Sequence, residues 1–173
     1  GYFNIVAVQE FDQKIVAAGG LIGEKNDFLD RYNTNGTLDT SFNHKGFIQP
    51  SINSNINAIA IQKDRKILVS YSNPNDSSNA RVVLIRYNQN GSIDTSFGTD
   101  GRLSVREGKI SQINAITVQK NKKIVVTGKT NVGNKNEMAV TRYDEHGTLD
   151  LSFGTQLEAG VERIYIDNSQ ATP

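Results

Sequence analysis

Between Asn57 and Gln62 the chain sets Ile59 and Ile61 against Ala58 and Ala60, a period of two that belongs to a strand. The small alanines suit an innermost strand, where neighbouring sheets crowd together around an axis. A turn at Lys63-Asp64-Arg65 leads into Lys66-Ile67-Leu68-Val69-Ser70-Tyr71, rich in β-branched residues and predicted as a second strand. After the polar loop Asn73 to Asn79, the stretch Arg81 to Tyr87 is apolar on both faces, as a strand packed between two layers should be. Gly101 to Val105 is shorter and more polar and predicts a fourth, outer strand, with Gly46 to Gln49 as its upstream counterpart. No stretch carries a helical period with caps at its ends.

The pattern is written three times. Arg31-Tyr32-Asn33-Thr34-Asn35-Gly36-Thr37-Leu38-Asp39-Thr40-Ser41-Phe42 returns from Arg86 to Phe97 and from Arg142 to Phe153, the arginines standing 55 and then 56 residues apart. Two landmarks precede each copy: Asn4 to Gln9, Asn57 to Gln62 and Asn114 to Gln119, then Lys14-Ile15-Val16, Lys66-Ile67-Leu68 and Lys123-Ile124-Val125. Periods of this size denote blades or solenoid units, and four strands in each is the arithmetic of a propeller blade. The expected organisation is one all-β domain over 1–173, with repeats at about 4–56, 57–113 and 114–167. Each repeat is a four-stranded antiparallel blade of a β-propeller or of part of one. A last strand, Val161 to Asp167, is expected to complete a blade, because the first repeat opens on its inner strand.

The tetrads Asn33 to Gly36, Asn88 to Gly91 and Asp144 to Gly147 read as turns. The Asn or Asp side chain bonds back to the turn backbone, and the glycine supplies positive φ. Phe42, Phe97 and Phe153 are candidate buried anchors. Arg31, Arg86 and Arg142 each have an acid eight residues on, Asp39, Asp94 and Asp150. If the turn folds the chain back, each pair meets as a partly buried brace.

Composition narrows the function. The 173 residues have the length of one domain, and 19 Lys+Arg against 18 Asp+Glu leave a net charge of +1. That balance argues against a dedicated nucleic-acid binder. The absence of cysteine removes disulfides, thiolate zinc sites and Cys nucleophiles. No apolar run approaches the roughly 20 residues of a membrane span. The opening Gly1-Tyr2-Phe3, with no Met and no visible signal peptide, reads as a processed or excerpted piece.

The string Arg86-Tyr87-Asn88-x-x-Gly91-x-Ile93-Asp94-x-Ser96-Phe97-Gly98, preceded by the strand from Lys66, resembles the bacterial delta-60 repeat. The resemblance covers about Asn4 to Phe153. It implies radially arranged four-stranded blades and a large secreted or surface-attached bacterial protein, hence an extracellular or cell-envelope location. It brings no agreed catalytic residues. The chain departs from the string at Asn43, where Gly98 and Gly154 stand in the later copies, and at Leu151, in place of Thr40 and Thr95. The tail Gly154 to Gly160 also lacks the Gly-x-x-Gly exit of Gly98 to Gly101. Propellers close with about four to eight blades. The expected partner is therefore a second copy, as a homodimer completing a six-bladed ring, or the adjoining blades of a longer chain.

Candidates for chemistry are few. His44 and His146 read as solvated turn residues, and Ser41, Ser96 and Ser152 belong to the repeat without a strained nucleophile elbow. Asn73 to Asn79, including Asn75 and Asp76, is oxygen-rich and could contribute calcium ligands, but it lacks the spacing of a dedicated loop. No other cofactor is expected. The hairpin loops carry Lys14, then Lys63, Arg65 and Lys66, then Lys120, Lys122 and Lys123. On one face of a propeller these form a basic arc. It either solubilises hairpin tips or attracts an anionic glycan, lipid headgroup or acidic protein. The segments that differ between copies are Leu21 to Asp27, Asn73 to Ala80, Thr130 to Glu137, Gln49 to Ile56 and Arg106 to Gln112. Protein or glycan recognition through inter-strand loops belongs there. The expected function is a non-enzymatic binding or scaffold module. A propeller hydrolase or lyase acting on a glycan or peptide, and a purely architectural spacer, are the alternatives.

Overall fold

The computed structural model describes residues 2–20, 27–50, 55–72, 82–105, 110–132, 135–154 and 160–164. They form three four-stranded antiparallel sheets, each an up-and-down meander in which spatial order follows sequence order. The first holds β1 (Tyr2–Val8), β2 (Ile15–Gly20), β3 (Asp27–Tyr32) and β4 (Phe47–Ile48). The second holds β5 (Asn55–Ile61), β6 (Ile67–Ser72), β7 (Val82–Tyr87) and β8 (Arg102–Ser104). The third holds β9 (Ile110–Val118), β10 (Ile124–Val132), β11 (Lys135–Tyr143) and β12 (Val161–Ile164). One short 3-10 turn, Phe42–His44, interrupts this all-β plan among the described residues. β12 pairs with β11, Met138 opposite Ile164, so the tail strand closes the third sheet, and 165–167 lie outside the described residues.

Every inner strand carries the same irregularity. The register slips between Phe3 and Ile5 in β1, between Ile56 and Ala58 in β5, and between Ile113 and Ala115 in β9. The extra residue is Asn4, Asn57 or Asn114. The asparagine that opens each repeat landmark is thus a β-bulge, which bends the strand and increases its twist.

The cores lie between sheets. One apolar cluster joins Val16, Leu29 and Phe42 to Ile56, Ile67 and Val69. The other joins Leu68, Leu84 and Phe97 to Ile113, Ile124 and Val126. β6 follows its period of two, sending Ile67 and Val69 to one cluster and Leu68 to the other. Because strands alternate in direction, the β1–β2 type hairpins and the repeated turns share one end of the blades. The connections numbered 21–26, 51–54, 73–81, 106–109 and 133–134 lie outside the described residues.

Candidate functional site

At the hairpin end each blade ties the same ionic knot. Arg31 Nε donates to Asp39 Oδ2 at 2.7 Å, and Lys14 Nζ reaches the same oxygen at 2.8 Å. In the second blade Arg86 and Lys66 meet Asp94 Oδ2 at 2.6 and 2.9 Å. In the third, Arg142 and Lys123 each meet Asp150 Oδ2 at 2.7 Å. The other carboxylate oxygen accepts the hydroxyl of Ser41, Ser96 or Ser152 at 2.6, 2.7 and 2.6 Å. Each guanidinium carbon sits 4.6 Å from the ring centre of Phe42, Phe97 or Phe153. The turn makes this possible. Gly91 N–H donates to Asn88 C=O at 2.9 Å, and Asp94 N–H returns to Arg86 C=O at 2.9 Å, which brings residues eight apart side by side.

Burial pushes the Asp39 and Asp94 carboxyls up. The hydrogen bonds from lysine, serine and arginine outweigh it and hold both well below the usual 3.8. At Asp150 the Lys123 hydrogen bond leads, followed by that of Ser152, and the direction is the same. Acids held ionised this firmly do not exchange protons near neutrality. They are structural anions.

The same arginines fasten one blade to the next. Arg31 Nη1 donates to the Gln89 carbonyl, and Arg86 Nη1 to the Glu145 carbonyl at 2.5 Å. Beside them Asn43 N–H donates to Asn90 C=O at 2.7 Å, and Gly98 N–H to His146 C=O at 2.8 Å. The turn glycine lies on the preceding blade: a Cβ at Gly91 would stand 3.1 Å from Phe42, and one at Gly147 would stand 3.0 Å from Phe97. No side chain of the gripped turn takes part in these bonds.

Above the junction of the second and third blades lies a cavity of about 170 Å³, walled by Lys63, Asp64, Lys120, Lys122, Glu145 and His146 among others. Gln62 also lines it, 6% exposed, with Oε1 lacking a hydrogen-bond partner among the described residues. A similar hollow between the first and second blades has Lys14, Arg31 and Ser41 facing Asp64, Lys66 and Asn90. The predicted basic arc divides here. Lys66 and Lys123 point into the knots, Lys122 pairs with Glu145 at 2.9 Å, and Arg65 stacks over Phe11 of the first blade at 4.6 Å. Lys63 and Lys120 are exposed and form no ion pair among the described residues. Asn75 and Asp76 lie outside the described residues, as does the rest of the calcium candidate 73–79. His44 is exposed, and His146 is exposed with Nε2 4.0 Å from Glu145 Oε1.

Sequence reasoning missed three roles. The lysine before each second strand is the third member of the knot, the serine two residues after each aspartate caps it, and the glutamine just after each first strand is buried in two copies. Gln9 is 0% exposed and Gln62 6%, whereas Gln119 is exposed. The signal was available, since all three residue types stand unchanged in every copy.

A family model described as a domain of unknown function (DUF5122) beta-propeller matches residues 12–42, 62–97 and 119–153, each segment ending on the phenylalanine of a knot. No curated protein matches the chain. Among solved structures, a protein of unknown function from Bacteroides caccae is 12% identical with a TM-score of 0.42. The alignment covers 80% of this chain and 52% of that one, so the chain spans about half its length.

Proposed function

Because the chain belongs to the DUF5122 beta-propeller family, we propose that it is a non-enzymatic binding or scaffold module of a bacterial secreted or surface protein. Its similarity to delta-60 repeats points to the same setting. The ligand is an anionic glycan, held at the cavity between the second and third blades. The observation that carries this reading is the pair Lys63 and Lys120, exposed on the rim of that cavity without a carboxylate partner among the described residues. The neighbouring Gln62 amide is buried, whereas Lys14, Lys66 and Lys123 are held in the knots and Lys122 pairs with Glu145. Asp39, Asp94 and Asp150 are held ionised by the knots, which fits a structural rather than a proton-exchanging role for the repeated acids.

Retention on an immobilised heparin-like glycan tests the reading. Binding is expected at low salt and should fade as salt screens charges beyond about 8–10 Å. Exposed charges contribute up to about 1 kcal/mol each, so Lys63→Ala/Lys120→Ala is expected to weaken binding on the order of tenfold. Neither side chain belongs to a knot, so the variant should melt with the wild type. Equal retention of the two proteins would leave the architectural spacer as the better reading.

A further inference from the structure

The second blade departs from its neighbours at positions that face one another. Tyr71 stands where the other copies have Gly19 and Gly128, Ile85 where they have Asp30 and Thr141, and Arg102 where they have Phe47 and Val161. Register puts these side chains on one face of the sheet. Arg102 pairs with Ile85 and Ile85 with Val69, and Tyr87 and Tyr71 lie two residues along from them. On that face Tyr71, Ile85 and Tyr87 pack with Leu29 and Ile48 of the first blade. Between the two blades lies a cavity of about 240 Å³, walled by Ile48, Pro50, Ile85, Tyr87, Ile93 and Arg102 among others. Among the described residues Arg102 is the one charged group on its walls, and it forms no ion pair there. The hydroxyls of Tyr71 and Tyr87 meet at 3.0 Å, with the two residues 1% and 3% exposed. Burial pushes both phenols up, so both keep their protons, and the charge of Arg102 acts on each. One proton makes the bond between them. The other has no acceptor among the described residues. In the first blade the matching Tyr32 donates its hydroxyl to the Asp30 carboxylate at 3.3 Å, and Ile85 stands in the place of that acid in the second.

We propose that this cavity is a binding site for a small carboxylic acid with an apolar body. The carboxylate takes the Arg102 guanidinium and the spare phenolic O–H, and so restores in the second blade the tyrosine–carboxylate contact that Asp30 supplies in the first. Ile48, Pro50, Ile85 and Ile93 hold the apolar body. An unpaired arginine beside a hydroxyl donor, with no acid on the walls, selects a carboxylate over an amine. Size agrees, since an apolar cavity of about 150 Å³ already accepts benzene, and the remaining volume suits a carboxylate. The residues that would recognise the ligand are those the other copies lack, as expected of a site laid over a repeated scaffold. Neither Lys63 nor Lys120 lines this cavity, so this site and the glycan reading fail independently.

Phenylacetate is the probe. Titrated into the 173-residue chain, it is expected to bind saturably and to shift the NMR methyl signals of Ile48, Ile85 and Ile93. Those of Ile113 and Ile124, in the other apolar cluster, should stay in place. Phenylacetamide has the same ring without the charge and should bind about tenfold more weakly, and Arg102→Met should weaken phenylacetate by about the same factor. Tyr87→Phe, which removes the wall hydroxyl, should weaken it about three- to tenfold. Arg102→Met breaks no ion pair among the described residues and should melt with the wild type. Absence of saturation, equal binding of the amide, or full binding by Arg102→Met would each overturn the proposal. So would tighter binding of an acetylated peptide ending in phenylalanine, which would assign the cavity to a chain terminus instead.

Discussion

Asp94 shows at the scale of a residue how the repeat is held. One carboxylate takes Arg86, Lys66 and Ser96 at 2.6 to 2.9 Å. Removing one partner of a buried ion pair costs about 3–5 kcal/mol because the other charge is left alone. Because Lys66 and Ser96 still meet Asp94, Arg86→Ala belongs at the low end, about 3 kcal/mol, and is expected to lower the melting temperature by roughly 6–12 °C in a thermal scan, at about 2–4 °C per kcal/mol for a chain of this size. Arg142→Ala should cost less, since Arg142 is more exposed and, among the described residues, grips no following turn. Acid provides a second check. The knots hold their carboxyls below the unfolded value, so their stabilisation is complete above about pH 3.9 and is lost as pH falls through the folded values. The melting temperature should fall on acidification below about pH 4, and Asp94→Asn, less stable at neutral pH, should show a shallower fall. The arginine–aspartate half of the knot was legible because a turn folds residues eight apart onto each other. The lysine was not, because its partner lies 25 to 28 residues away and only the second hairpin brings the two together.

The blade itself rests on backbone features that a hydrophobic pattern does not display. Its four strands followed from the period of two and from the outer segments at Phe47 and Arg102. The bulges at Asn4, Asn57 and Asn114 could not be placed, since register depends on the facing strand. Glycine offers a test of how blades meet. Gly36 and Gly91 share φ near +83° and +88°, so alanine strains both alike. At Gly91 the added Cβ also meets Asn43 N at 2.9 Å and Phe42 Cδ2 at 3.1 Å. Gly91→Ala is expected to destabilise by about 1–3 kcal/mol more than Gly36→Ala in urea unfolding. Equal losses would show a loose junction. Hydrogen exchange should also rank the blades: amides of β6, buried on both faces from Ile67 to Tyr71, exchange more slowly than those of β10, where Val125 and Thr127 are half-buried.

Across the whole molecule, the basic residues read from the hairpins share one end of the blades but not one role. Sequence spacing cannot show that Lys66 and Lys123 face inward, because the acids they meet belong to a different landmark of the repeat. The segments that vary most between copies fall largely outside the described residues. The constant end thus has two tasks, to tie blades and to offer Lys63 and Lys120.

One property of the seams reaches further. What Arg31 and Arg86 grasp is main chain, at Gln89 and Glu145, with Asn90 and His146 alongside. An amide, an acid and an imidazole ride on these straps without changing the buckle. Copies of the unit can therefore be duplicated, transposed or left to drift at those positions while still fitting their neighbours, which makes the blade an interchangeable part.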